Sequence, residues 1–208
     1  MYLSDKDLKD AVDKGELLCD PPPEAYDPTS FDLHLDHVKE AKIWDIEKYV
    51  GDEAIRGSRR PELRIGQYKY ALFADKYLRI PPDYDDTSQA LVQRRSNQVI
   101  VRPGGFLLWQ TKEKVGTPHD AKLICFVNGK STRARAGIVV HLTAPTIHST
   151  WTGKITLEIA NVGPFDLVLQ EDDVIAQLTV ARITSTPDRS MAVTSKTFDQ
   201  ASVDAAKK

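Results

Sequence analysis

From Val99 onward the chain is written in short runs where apolar and polar residues alternate. The runs are QVIVR (98–102), GFLLWQT (105–111), AKLICFV (121–127), GIVVHLT (137–143), KITLEIAN (154–161), FDLVLQ (165–170) and VIAQLTVARI (174–183). Turn residues close them: Pro103-Gly104, Gly116-Thr117-Pro118, Asn128-Gly129, Gly153, Gly163-Pro164 and Asp172-Asp173. A period of two in pieces this short predicts strands, and strands at this spacing predict an all-β sandwich, jelly roll or barrel.

Upstream the pattern is less regular. Ser4 and Asp7 make a capping-box-like start, Leu8, Ala11 and Val12 share a helical face, and Gly15 supplies a stop. This predicts a short helix over 4–14. The prolines at 21–23 argue for an extended loop. Phe31, Leu33 and Leu35 then alternate with Asp32, His34 and Asp36, as in a half-buried strand. Between 38 and 98, Ile43, Ile46 and Tyr49-Val50 support a helical turn, and Gly51, Gly57 and Gly66 interrupt it. RGSRRPELR (56–64) reads as a solvated loop, and Tyr68, Tyr70, Leu72 and Phe73 resume β-like patterning. The segment predicts an insertion between strands of a single 1–208 domain rather than a second domain. Beyond Ile183 the chain turns to Ser, Thr, Asp and Lys, which predicts a tail (184–208) that stays mobile until something orders it.

At 208 residues, with 41% hydrophobic and 28% charged residues, the composition is that of one soluble globular domain. The formal net charge is −2, so no basic field points to nucleic acid and no polybasic run points to a membrane. The charged start MYLSDKDLKD lacks the apolar stretch of a signal peptide. Cys19 and Cys125 stand far apart in apolar surroundings and read as buried free thiols, which places the protein in the cytoplasm. Two cysteines with no Cys-x-x-Cys pair also exclude the zinc-dependent route to nucleobase deamination.

Residues 129–161 concentrate the chemistry. Ser131 and Thr132 sit among Lys130, Arg133 and Arg135 with a glycine on each side, a polar turn suited to a triphosphate. Downstream, Glu158 stands alone among Ile155, Leu157 and Ile159. Alternation puts it on the face of Thr156 and Ala160, opposite the aliphatics. Such a lone carboxylate is commonly a solvent-facing or ion-paired residue. It also suits proton transfer, and Arg135 would hold it, or the carbonyl of a bound base, in place by charge-assisted hydrogen bonding.

This block resembles the dCTP deaminases of the trimeric dUTPase-like superfamily, whose nucleotide site is built from a Ser-Ser/Thr-x-x-Arg-x-Gly turn, a Thr-Ala hairpin and a Thr-Leu-Glu strand. The resemblance extends to LSDKDLKDAVDKGELLCDP, YDPTSFDLHLD, PGGFLLWQTKEKVGTP, DDVIAQL and SKTFDQ, about two thirds of the chain. It implies a distorted jelly-roll barrel assembled as a homotrimer with sites at subunit interfaces. The reaction it implies is hydrolytic deamination of dCTP to dUTP and ammonia, with Mg2+ carried by the triphosphate. Glu158 would shuttle protons, and Ser131 and the Ala144 carbonyl would position the attacking water. Thr143 and Ala144 would read the pyrimidine edge beside Thr156 and Leu157, and Trp151 would exclude a 2′-hydroxyl. Gln177, with Lys196 and Gln200 from a closing tail, would add phosphate contacts.

The chain departs from the family at one position. Where the hairpin normally continues Ile-Asp, it reads Ile147-His148. In the family's dUTP-hydrolysing members that Asp contacts the 3′-hydroxyl and helps activate water. His148 could still bind the hydroxyl, yet imidazole titrates near neutrality. Two alternatives therefore stand beside the deaminase: a dUTP pyrophosphatase or bifunctional enzyme, and a non-catalytic nucleotide-binding regulator on the same fold.

Overall fold

The computed structural model describes residues 1–52, 61–118 and 120–188. In chain order the elements are α1 (Asp5–Asp13), β1 (Leu18–Asp20), β2 (Phe31–His34), β3 (Ile43–Trp44), α2 (Ile46–Asp52), α3 (Tyr70–Tyr77), β4 (Leu78–Arg79), β5 (Val92–Arg95) and β6 (Gln98–Val101). They continue with β7 (Phe106–Gly116), β8 (Leu123–Gly129), α4 (Ser131–Ala134), β9 (Ile138–Val139), β10 (Thr146–Ile147), β11 (Thr152–Asn161), β12 (Leu167–Gln170) and β13 (Val174–Arg182). Two four-stranded antiparallel sheets, β1-β7-β11-β9 and β10-β8-β13-β2, are joined by a three-stranded β12-β6-β5 sheet and the small β3-β4 pair. The molecule is mostly β, as the period of two requires. No helix among the described residues is long and apolar enough to cross a membrane.

The inward faces of the strands make one core, with Phe31, Leu33, Leu107, Trp109, Leu123, Leu157, Ile159 and Leu178 fully buried. β11 follows the alternation read from its sequence. Gly153, Ile155, Leu157, Ile159 and Asn161 are buried, while Lys154, Thr156, Glu158 and Ala160 face outward. It pairs with β7 along most of its length, with a shift of register between Lys154 and Thr156. The Thr111 hydroxyl accepts the displaced Ile155 N–H at 2.9 Å, so the bulge leaves that donor satisfied.

Other expectations fare unevenly. α1 forms with Ser4 as its N-cap, accepting the Asp7 amide, and Gly15 follows at φ +72°. Cys125 is buried, Cys19 is half-buried, and both are free. Burial first, with Glu113 adding to it at Cys19, pushes both thiols up to about 12, so neither is a nucleophile at neutral pH. The stretch 68–73 is not a strand: Tyr70–Tyr77 is helical, with Ala71, Ala74 and Tyr77 buried at a spacing of three. The run 137–143 keeps only Ile138–Val139 in a ladder, and the chain leaves the sheet after Val139.

Beside the bulge lies a buried acid. Asp36 Oδ2 accepts Lys154 Nζ and Gln110 Nε2, each at 2.6 Å. Burial pushes the Asp36 carboxyl up, but the bonds from Lys154, Gln110 and the His37 amide outweigh it and hold it below the usual range. A depressed folded pKa means stability that is present above the unfolded value, about 3.9, and lost as pH falls through the folded one. Asp36→Asn should cost on the order of 1–2 kcal/mol at pH 7, or about 2–8 °C in melting midpoint. The gap to wild type should narrow as pH falls below about 3.9, and a gap equally wide at pH 3 and pH 7 would remove this account of Asp36.

Candidate active site

Glu158 projects from the outward face of β11, half-buried, and its Oε2 accepts the Leu142 N–H at 3.4 Å. The main chain after β9 therefore runs back along β11 and brings the 141–145 segment, with exposed Thr143 and Ala144, to the level of the carboxylate. The far end of β11 is pinned by Asn161, which is fully buried and fully bonded. Its Nδ2 donates to the carbonyls of Val101 and Phe165, each at 2.7 Å, and its Oδ1 accepts the Gly163 amide at 3.0 Å. One residue on, the Val162 N–H donates to Gly137 O at 2.8 Å. There two glycines touch: a Cβ on Gly137, which sits at φ +93°, would meet Gly163 Cα at 2.2 Å. Only glycine lets the strand end and the 130s loop approach this closely.

The polar segment before Gly137 is not a β-turn. Ser131–Ala134 forms one turn of α-helix, α4, because the Ala134 amide reaches Lys130 O at 2.9 Å and the Arg135 amide reaches Ser131 O at 3.3 Å. Ser131, Thr132, Arg133 and Arg135 are all exposed. Arg135 was expected to hold the Glu158 carboxylate or the carbonyl of a bound base; within one chain it does not meet Glu158 as an ion pair. Val162, at the level of Gly137, lies four residues beyond Glu158, about 13 Å along the strand. The acid's hydrogen-bond partner is the Leu142 amide instead.

Lys130 is committed elsewhere. Its ammonium bonds Asp32 and lies 3.5 Å from Asp27, and the Asp32 carboxylate, with Asp27 assisting, holds it protonated above the usual lysine range. Gln177 stands across β13 from both Asp32 and Asn128, so it shares this sheet end, and its Oε1 accepts the Ser30 hydroxyl at 3.4 Å. Thr156 shares the face of Glu158, whereas the Leu157 side chain is in the core and can offer a ligand only its main chain. Exposed His148 and half-buried Trp151 flank a turn fixed by Trp151 N–H to His148 O at 3.2 Å and by Thr117 N–H to Trp151 O at 3.1 Å. Lys196 and Gln200 lie outside the described residues. The sequence reading passed over three groups: the Leu142 amide, Asn161, and His141, whose Nδ1 is buried without a hydrogen-bond partner among the described residues. An Asn closing an apolar strand before Gly163 was the available signal for the second.

One chain thus carries two separate polar groups: a half-buried carboxylate beside an exposed backbone loop, and an exposed helical turn of hydroxyls and cations. Comparison with known proteins gives this arrangement a family. The dCTP deaminase of Haloarcula marismortui is 28% identical over 192 residues, covering 91% of this chain and 84% of that protein. The dUMP-forming dCTP deaminase of Halobacterium salinarum is 36% identical over 107 residues, covering 51% and 54%. The crystal structure of 2′-deoxycytidine 5′-triphosphate deaminase from Agrobacterium tumefaciens shares the fold, with a TM-score of 0.54 and 18% identity over 86% of this chain. The matched region is 47% of that solved chain, so this protein spans about half its length. The family model for dCTP deaminase-like proteins matches residues 2–183, nearly the whole of the described structure, and the chain belongs to that family.

Proposed function

We propose that this protein deaminates dCTP to dUTP and ammonia, with Glu158 as the proton carrier, in sites shared between the subunits of a homotrimer. The carrying observation is the position of Glu158. It is a carboxylate on the outward face of a core strand, bonded to one backbone amide, beside the open main chain of Thr143 and Ala144. There it is anchored by the strand and still has lone pairs for water and a ring nitrogen.

The reaction needs no group beyond these. Water, positioned by the Ser131 hydroxyl and the Ala144 carbonyl, attacks C4 while Glu158 takes its proton and passes it to N3. Glu158 then moves the proton of the new hydroxyl to the amino nitrogen, the C4–N bond breaks, ammonia leaves and the carbonyl forms. Arg133, Arg135 and Thr132 suit the phosphates and sugar as cations and a hydroxyl. Lys130, Gln177, Lys196 and Gln200 extend the phosphate contacts, and Trp151 and His148 border the sugar. A magnesium ion, which prefers hard oxygen donors and retained water, would be held by the phosphates, since the donor set around α4 is cationic.

Separation of the half-sites supports a shared site. The Glu158 and Gly137 levels of β11 lie about 13 Å apart along the strand, and Arg135 and Glu158 of one chain are not paired, which leaves room for a neighbouring copy to complete the site. Leu142, Val162 and Phe165, between and beside the half-sites, are 55%, 74% and 67% exposed, an apolar surface suited to a neighbouring copy.

A second reading adds dUTP hydrolysis, because several relatives are named as dUMP-forming deaminases. His148 argues against it, since it stands where the resemblance implies a carboxylate that helps activate water.

Three outcomes test these statements. Glu158→Gln keeps shape but cannot shuttle protons, so turnover should fall by about 10²–10⁴-fold with dCTP affinity within tenfold. Turnover above a tenth of wild type removes Glu158 from the role. Co-expressing differently tagged Glu158→Gln and Arg135→Ala chains should give mixed trimers with up to about a third of wild-type activity, since one interface in three pairs two intact halves. Mixed oligomers no more active than the two parents would place the whole site within one chain. Product chromatography should find dUTP from dCTP and little pyrophosphate from dUTP, with His148→Asp raising pyrophosphate release. Robust release by the unmodified protein would promote the second reading.

A further inference from the structure

The segment between β2 and β5 contains a structure the proposed chemistry does not use. α2 and α3 pack through rings rather than aliphatic side chains. Tyr49 and Tyr68 each lie 5.3 Å from Phe73 between centroids, and Phe73 lies 4.7 Å from Tyr77. Trp44 closes the group at 5.4 Å from Phe73. Against these rings opens a cavity of about 640 Å³ lined by Tyr49, Arg64, Tyr68, Phe73, Lys76 and Tyr77 among others. That volume lies in the range of small-molecule sites.

Two features distinguish it from a packing gap. Its rim is cationic: Arg64, Lys69 and Lys76 line it against one acid, Glu62, and Lys76 shares its charge with Asp52 at 3.1 Å. The Lys76 and Lys48 ammoniums sit 4.8 and 5.8 Å from the centre of the Tyr77 ring. In addition, Tyr77, which lines the cavity, is 3% exposed, so the cavity has a fixed aromatic ring in its wall.

We propose that this cavity is a second ligand site, distinct from the half-sites on β11 and α4, which takes a small aromatic anion of the nucleoside monophosphate type. A planar base would stack on the Tyr68 and Phe73 rings, and the phosphate would meet Arg64 and Lys76. A phosphate alone lacks the stacking surface, and an uncharged nucleoside leaves the cations unused, so each half of the ligand should bind more weakly than the whole.

Calorimetric titration with 2′-deoxyadenosine monophosphate tests the site directly and is independent of turnover. The expected result is saturable binding with a Kd below about 1 mM, weakened at least about tenfold for deoxyadenosine and for inorganic phosphate. The double variant Arg64→Gln/Lys76→Gln should lose at least about tenfold in affinity while retaining the wild-type melting midpoint and dCTP turnover. Arg135→Ala should leave binding unchanged. No saturable binding at 1 mM overturns the proposal. So does binding that survives Arg64→Gln/Lys76→Gln and disappears in Arg135→Ala, because that ligand would be sitting in the nucleotide site instead.

Discussion

The pairing of β11 with β7 is the constraint on which the site depends. β7 is the longest strand and is flanked by β1 and β11, so β11 is laid along a partner that is itself fixed on its other side. With Ile155, Leu157 and Ile159 committed to the core, Glu158 has one face left to it, and a slip of one residue would bury it among aliphatics. The ladder is secured at both ends by side chains that take up backbone groups. Thr111 captures the donor stranded at the bulge, and Asn161 ties β11 to the loops at Val101, Phe165 and Gly163. A carboxylate held by core packing rather than by a salt bridge keeps its position without surrendering its charge to a permanent partner.

What the sequence made legible follows from how local each signal is. The alternation of β11 is written in consecutive residues, and so is the cap-and-stop grammar of α1, from Ser4 to Gly15. α3 was hidden because Tyr68, Tyr70 and Leu72 happen to alternate with polar residues, while the residues that face inward, Ala71, Ala74 and Tyr77, carry little apolar contrast. The 137–143 run looked like a full strand because Val139-Val140 and Leu142 are good strand residues. Its ladder ends after Val139 since the backbone is needed at Glu158. Arg135 was less legible for a different reason: its nearness in sequence to the site block says nothing of distance in space, and the Gly137–Gly163 junction holds it beyond the end of β11. Relationships that cross strands, and those that would cross subunits, leave no periodic trace.

The same contrast separates the two halves of the molecule. The sheets bury aliphatic side chains and present polar groups singly. The α2–α3 segment instead packs rings on rings, with ammoniums over their faces, which leaves gaps that aliphatic packing would fill.

Lys130 carries a consequence for whatever anion approaches α4. Its charge is already matched by Asp27 and Asp32, so an arriving phosphate meets an occupied cation rather than a vacant one. Association there becomes an exchange, in which the newcomer must outcompete two tethered carboxylates and then tolerate them as neighbours. A singly charged ligand gains little from such a trade. If α4 takes the nucleotide as proposed, a polyphosphate would win it, and the guarded lysine would then admit ligands by their charge before any base is read.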